Sequence, residues 1–372
     1  MTWRSEMPTW SAVPKTLGLE QGGFIVRSTV WRAAIVACLF VALCAAFSPT
    51  SYAARATVIK VAHDLSPDPY DPTHGFAVVF KNYVESRTDG KYVVEIYPSS
   101  VLGKERERLE LTRAGAIHVN LASVGGLSQL YQPAILLNTP FIYKSDKIVS
   151  AVLDSDFVQW MFADMQKKTG LRSICVYEMG GLSCITNNLR PIRKPEDMRG
   201  IKFRAMDDSQ VAMFKALGAN AVPMAWSETY TGLQTGVVQG QVNPVSAIIS
   251  VKLYEVQKHI TLSRTLLGSH WVVVNDKWYS SLPADVRKIV DDGFHYARET
   301  AAGLTQIVQA QGIETLKNNG MTVTALTDAE WAQFAKLGCP AVLQWAKTKM
   351  DPGIVDRFVS TVEKVEKQVE GK

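Results

Sequence analysis

Residues 199–205 read Arg-Gly-Ile-Lys-Phe-Arg-Ala, and residues 236–247 read Gly-Val-Val-Gln-Gly-Gln-Val-Asn-Pro-Val-Ser-Ala. The fold is decided by how these two segments are joined. Ile201, Phe203 and Ala205 alternate with Lys202 and Arg204, the period of a strand, which puts Arg204 on the face opposite Phe203. An amphipathic run with Val211, Phe214, Ala216 and Leu217 follows and stops at Gly218. Residues 221–224 read as a short strand. Ser227 is the expected cap of a helix over 229–236, and 237–241 leads into a further strand. Strand, helix, strand, helix and strand within about fifty residues predict an α/β lobe whose strand ends face one crevice.

These segments resemble the DctP family, the extracytoplasmic solute-binding proteins of TRAP (tripartite ATP-independent periplasmic) transporters. In that family a Gly-x-Lys-x-Arg strand carries an arginine that holds the carboxylate of an organic acid. Here it is matched by Gly200 to Arg204. The family's Glu-x-Tyr-x-x-Leu-Gln-Thr-Gly-Val-Val-Asp-Gly-Gln-Glu-Asn-Pro segment is matched by Glu228 to Pro244, with Gln239 in place of Asp and Val242 in place of Glu. Tyr97-Pro-Ser-Ser-Val-Leu-Gly103 is similar to its Tyr-Pro-x-x-x-Leu-Gly turn, and Thr139-Pro140-Phe141 to its Leu-Pro-Phe segment. The resemblance runs from about residue 58 to about residue 320. It implies a two-lobed periplasmic binding protein fold of the α/β class, with hinge crossings and a long helix spanning both lobes. Many relatives carry a second basic residue where Ser183 and Cys184 stand here. No second carboxylate clamp is therefore assigned, and whether the acid carries one carboxylate or two is left open.

Outward from this centre, Thr57 to Ala62 reads as a strand, and Phe76, Val79, Phe80, Tyr83 and Val84 recur at helical spacing before Gly90. Val93 to Tyr97 is a second strand, Gly103 to Gly115 a charged helix, and Ile117, Val119 and Leu121 alternate in a third strand. Arg172 to Glu178 reads as a strand leaving this first lobe through Gly180-Gly181, and Ser269 to Asn275 as a strand returning to it. Ser281-Leu-Pro283 opens a long helix with an apolar stripe from Val286 to Ile307, continuing toward Leu316. A last helical region covers 329–372. The expected division is a leader over 1–53, a first lobe of 54–181 and 270–309, and a second lobe of 182–269 and 310–372.

Arg27 and Arg32 precede about fifteen apolar residues from Ala33 to Phe47, and Ser51-Tyr52-Ala53 supplies a small-x-small end. This is the pattern of a secretory signal peptide cleaved after Ala53, short for a membrane span, and it predicts a periplasmic location. The 372 residues carry a net charge of +5. Residues 1–53 contribute four basic and two acidic side chains, so export lowers the charge to +3. Lysines and arginines are scattered, so no nucleic-acid partner is expected. Cys175, Cys184 and Cys339 remain after export. They form no disulfide framework, although Cys175 and Cys184 flank Gly180-Gly181 and stand on candidate neighbouring strands. No metal-ligand or cofactor spacing is found.

Arg204 is the principal candidate ligand residue, because a guanidinium presents parallel N–H donors that match a carboxylate. Asn243 both donates and accepts, and its place before Pro244 reads equally as a turn former. Trp226 and Met224 either wall the crevice or pack the core. His63, Asp64 and Ser123 lie at strand ends; they either reach the crevice or cap the following turns. Glu178 and His270 sit on the crossings and are candidates to line the hinge. No nucleophile elbow, zinc-protease helix or phosphate loop occurs. The expected molecule is therefore not an enzyme. It is a monomer that takes a small organic acid and delivers it to TRAP membrane subunits. An exported enzyme and a ligand-presenting sensor with the same fold are the alternatives.

Overall fold

The computed structural model describes residues 56–371. The leader and its cleavage site lie outside the described residues. In chain order the first elements are β1 (Thr57–Ala62), α1 (Pro72–Arg87), β2 (Tyr92–Tyr97), α2 (Glu105–Arg113), β3 (Val119–Ser123) and α3 (Val124–Leu127). A 3₁₀ turn over Gln132–Asn138 follows, then α4 (Asp146–Leu153), α5 (Asp156–Thr169), β4 (Leu171–Leu182) and β5 (Cys184–Asn187). Next come β6 (Lys202–Ala205), α6 (Asp208–Ala216), β7 (Asn220–Pro223), α7 (Trp226–Gln234), β8 (Gly240–Asn243) and α8 (Val245–Ser250). The chain ends with β9 (His259–Leu262), β10 (Leu267–Asn275), α9 (Asp276–Ser281), α10 (Ala284–Asn318), β11 (Thr322–Ala325), α11 (Asp328–Lys347) and α12 (Pro352–Glu370).

The strands form two sheets, ordered β2-β1-β3-β10-β4 and β11-β9-β5-β8-β6-β7. In the first, β1 runs parallel to β2 and β3, while β10 is antiparallel to β3 and β4. In the second, β6 runs parallel to β7 and β8, and β5 is antiparallel to β8 and β9. All nine residues of β10 are buried. It lies inside its sheet with helices on both faces; Trp271 to Val274 form an apolar run, while Ser269 and His270 are buried polar residues.

Each sheet has a core on either face. Phe76, Phe80 and Phe294 pack α1 and α10 onto one face of the first sheet, with Phe80 and Phe294 stacked at 4.4 Å between ring centroids. Trp271, Phe157 and Met161 fill the other face under α4 and α5. Phe203 and Phe214 stack at 4.6 Å beneath α6 in the second sheet. Burying each such side chain stabilises the fold by about 1.5–3 kcal/mol.

The two sheets are joined where β4 passes into β5 and where β9 returns to β10. At the first crossing Gly180 and Gly181 have φ of +137° and +75°, conformations that side-chain-bearing residues rarely adopt. The pairing of β10 with β4 shifts register between Leu267 and Ser269, beside these glycines. The 35-residue α10 is a third link. It spans about 50 Å and packs against α1 and β4 at one part, and against α8 and β11 at another.

Two expectations are corrected, and the cysteines stand as expected. The segment 310–372 does not all stay with the second sheet: α11 packs on α6, but α12 packs on α4 and α5, burying Val355, Phe358 and Val362 in the core of the first sheet. Those residues share one stripe of an amphipathic helix, and the exposed apolar face is on the first sheet's side. Ser227 is no cap; α7 begins at Trp226, with Ala225 before it. Cys175, Cys184 and Cys339 are all free thiols.

Candidate functional site

β6 and β8 are neighbours in the second sheet, and their carboxyl ends carry Arg204 and Asn243. Across the cleft, the ends of β1 and β3 and the interior of β10 bring Asp64, Ser123 and His270 from the first sheet. Two adjoining cavities open between these walls, of about 50 and 200 Å³, and they share Asp64, Glu105, Arg204, Met206 and Trp226.

Arg204 is only 3 % exposed. Its Nε donates to the carbonyl of Met224 at 2.9 Å, and its guanidinium lies 5.9 Å from the centroid of the Trp226 ring. These contacts fix the plane of the fork. Among the described residues nothing accepts from its two terminal nitrogens. Burial pushes its pKa down to about 10, with the nearby charges of Asp207, Glu105 and Asp64 opposing that shift, so it stays cationic at neutral pH. A buried cation with two undirected donors is a receptor for a planar anion.

Asn243 is oriented by a relay within the second sheet. The Gln257 amide nitrogen donates to the Val256 carbonyl at 2.9 Å, which leaves its oxygen to accept from Thr186 at 2.8 Å. Thr186 in turn accepts from Gln241 at 2.8 Å, and the Gln241 oxygen accepts from the Asn243 amide. The chain of donors therefore leaves the Asn243 oxygen free to accept at the cavity wall.

The opposite wall is acidic. Asp64 is 8 % exposed, and its Oδ1 has no hydrogen-bond partner. His270 Nε2 stands 3.6 Å from that oxygen, too far for a hydrogen bond. The other ring nitrogen of His270 is held at 3.0 Å by the Thr73 hydroxyl, and burial keeps its pKa down at about 4, against the pull of Glu105. Burial raises the pKa of Asp64, while Arg108 and Arg204 draw it back. Burial also raises that of Glu105, reinforced by Asp64 and opposed by Arg108. Glu105 accepts from the backbone N–H of Ser123 and, at 2.6 Å, from its hydroxyl. A Cβ at Gly126 would stand 2.2–2.6 Å from the Glu105 side chain, so this close approach requires glycine.

Of the nine residues singled out from the sequence, Arg204, Asn243, Trp226, Asp64, Ser123 and His270 meet at the smaller cavity. Three do not. Met224 contributes its carbonyl to Arg204, while its side chain packs in the core of the second sheet. His63 is fully buried behind the cleft, bonded to His74 at 3.0 Å and accepting from the N–H of Leu65 at 3.2 Å. Glu178 points to the other side of the crossing, into a hollow lined by Asp146, Lys147 and Gln309. Beyond the end of β1 the chain turns His63 into the core, where Leu65 and His74 hold its ring, and leaves Asp64 at the cleft. Glu105, Asn138, Ser183 and Ser269 line the cavity without having been singled out as ligand residues. Glu105 opens a strongly charged helix and reads there as a solvated first-turn acid; no local signal marks its burial.

The two departures from the family pattern have different consequences. Gln239 accepts from the Lys202 N–H at 2.9 Å and ties the start of β6 to β8, away from the cavity. Val242 is buried in the core of the second sheet and is also among the residues at the cavity. Among the described residues no cluster of three or more His, Cys, Asp or Glu side chains is arranged to hold a metal ion. No helix among them is long and apolar enough to cross a membrane.

A family model described as bacterial extracellular solute-binding protein, family 7 (DctP) matches residues 62–348. A solute-binding protein of Verminephrobacter eiseniae is 32% identical over 270 residues, covering 72% of this chain and 79% of that one. The C4-dicarboxylate-binding periplasmic protein DctP of Rhodobacter capsulatus is 31% identical, with 75% and 84% covered. Among solved structures, the sugar acid binding protein DctPAm of Advenella mimigardefordensis, in complex with galactonate, superposes with a TM-score of 0.78. It is 25% identical, with 83% of this chain and 99% of that one covered. A TRAP periplasmic solute-binding protein of Shewanella oneidensis with bound succinate gives a TM-score of 0.77 at 26% identity, covering 82% and 99%.

Proposed function

The chain belongs to the DctP family of bacterial extracellular solute-binding proteins, family 7, and on that premise we propose that it captures an organic acid in the periplasm and passes it to the membrane subunits of a TRAP transporter. The observation that carries this reading is the buried guanidinium of Arg204, held by Met224 and Trp226 with its terminal donors turned to the cleft. A carboxylate there forms two parallel charge-assisted hydrogen bonds in a site shielded from water. Asn243 accepts from, or donates to, a neighbouring oxygen of the same ligand.

The two sheets act as lobes. Ligand held by Arg204 and Asn243 on one side and by the first sheet on the other favours the closed arrangement, by as much as its affinity for closed exceeds that for open. Residues 1–53 serve as the export signal, and the mature chain works as a monomer. The relatives' names and bound ligands describe capture rather than turnover, which supports a role without catalysis.

Titration calorimetry against a panel of organic acids tests the reading. Arg204→Lys keeps the charge and loses the fork. It is expected to weaken carboxylate binding by about tenfold to a hundredfold. Arg204→Ala is expected to abolish measurable binding while the far-ultraviolet circular dichroism stays that of the parent. Unchanged affinity in both variants removes Arg204 from the site, and consumption of a bound acid converts the reading to an enzyme.

A further inference from the structure

Arg204 is the sole lysine or arginine lining the smaller cavity among the described residues. The wall facing it, built from the first sheet and its connections, carries a different chemistry. Asp64, Asn138 and Ser269 all line this cavity and are at most 8 % exposed, and Asp64 Oδ1, Asn138 Oδ1 and Ser269 Oγ are buried with no hydrogen-bond partner. Orphaned polar atoms of this kind cost stability unless something else satisfies them. Two of the three are acceptors, and the third is a hydroxyl that both gives and takes a hydrogen bond. Asn243 presents a further free oxygen from the other side.

We propose that Asp64, Asn138 and Ser269 form a hydroxyl-reading subsite, so that the ligand is a hydroxylated monocarboxylate rather than a dicarboxylate. This rests on Arg204 holding the carboxylate. Hydroxyl groups both donate and accept, which suits the mixed set better than an ammonium group, a donor only. A second ionised carboxylate in the same cavity meets Asp64 and Glu105 with no second cation among the residues lining it. The cation that acts most strongly on both acids is Arg108, which lines the adjoining cavity together with Lys104 and Arg106. Arg108 already donates to Ser100 at 3.1 Å and to the Gly103 carbonyl at 3.2 Å, with one terminal nitrogen left over. Ser183, also at the cavity wall, adds no charge. Since the anion receptor sits on one sheet and the hydroxyl readers on the other, closure selects for acids that bear hydroxyl groups. An acid with a bare hydrocarbon tail engages Arg204 alone.

Calorimetry on the exported form of the full chain reads this directly, with matched acids of four and six carbons. The panel is butanoate, hexanoate, butanedioate, hexanedioate, 2,3,4-trihydroxybutanoate, 4-amino-3-hydroxybutanoate and a hexonate. The expected result is binding of at least one polyhydroxylated monocarboxylate at least about tenfold tighter than its unsubstituted and dicarboxylate counterparts. Asp64→Ala and, independently, Ser269→Ala should shrink that preference, weakening the polyhydroxylated acid relative to the plain acid in the same variant. Ser269→Ala removes an oxygen without a protein partner, so it keeps the proposal testable if Asp64→Ala fails to fold. Tighter binding of a dicarboxylate, tighter binding of the amino acid, or an equal loss for all acids in both variants overturns the subsite and leaves the carboxylate reading standing. Failure of every acid to bind overturns the carboxylate reading, and this inference with it.

Discussion

At the N-terminus of α1, Asp71 accepts from the backbone N–H groups of Thr73 at 2.9 Å and His74 at 3.1 Å, capping the helix just before Pro72. It is 5 % exposed, and burial pushes its pKa up to about 7, although those two N–H groups favour the ionised form. A carboxyl raised from its unfolded value of about 3.9 binds its proton more tightly in the folded chain. Between those two pH values the folded state therefore holds more protons than the unfolded one, and stability falls as pH rises through the window. Asp71→Asn keeps an acceptor for the cap and cannot ionise. Urea unfolding should show the variant gaining on the parent from pH 4 to pH 7, by on the order of 3 kcal/mol at the upper end. Comparing variant with parent matters because His270, lowered by burial to about 4, contributes the opposite slope in the parent and in the variant alike. A constant difference across the window would show that Asp71 is ionised throughout.

At the scale of elements, the crossing between β4 and β5 is the most constrained piece of backbone beside the cleft. Gly181 has φ of +75°, and a Cβ there would stand 1.6 Å from the amide nitrogen of Gln309 on α10. The Gln309 side chain can swing away, but the backbone conformation remains costly for any other residue. Gly181→Ala is expected to destabilise the protein by about 1–2 kcal/mol in thermal or urea unfolding. A neutral substitution would mean that the crossing relaxes to an ordinary strand. Gly240 in β8 tests a different constraint, that of space. Its Cβ would lie 2.6 Å from the Thr186 carbonyl of the paired strand and equally close to the Phe203 ring. Gly240→Ala should cost about 1–3 kcal/mol and also disturb the Asn243 relay, so affinity falls with stability.

Over the whole molecule, two contacts cross the mouth of the cleft. Lys104, just before α2, pairs with Glu228 on α7 at 2.6 Å, and Ser66 donates its hydroxyl to the Ser250 carbonyl at 2.6 Å. Both side chains of the ion pair are more than half exposed, so water and salt screen it. Lys104→Ala should raise the ligand dissociation rate by less than about fivefold, an effect that fades at high salt in stopped-flow measurements. A much larger change would make this pair a latch rather than a rim contact. If the sheets move as lobes, a ligand that raises the melting temperature also lowers the radius of gyration in solution scattering. Stabilisation with no compaction would count against hinged closure.

Local pattern by itself determined the α/β class, the strand that carries Arg204, both crossing strands and the length of α10. Strand alternation, apolar stripes and glycine stops are set by neighbours a few residues apart, and that is the range over which a sequence is legible. The place of Arg204 at the cavity was legible for the same reason, once the Gly200 to Arg204 strand was set beside a family that shares it. Tertiary structure alone decided which member of each adjacent pair reaches the cleft, turning Asp64 in and His63 away. It also buried Glu105 from the first turn of a charged helix, and it placed α12 against the first sheet. Above all it brought Asn138 and Ser269, 131 positions apart in the numbering, to one wall without partners. Whether a polar side chain is satisfied depends on atoms from distant strands that pack around it, and no spacing along the chain records that.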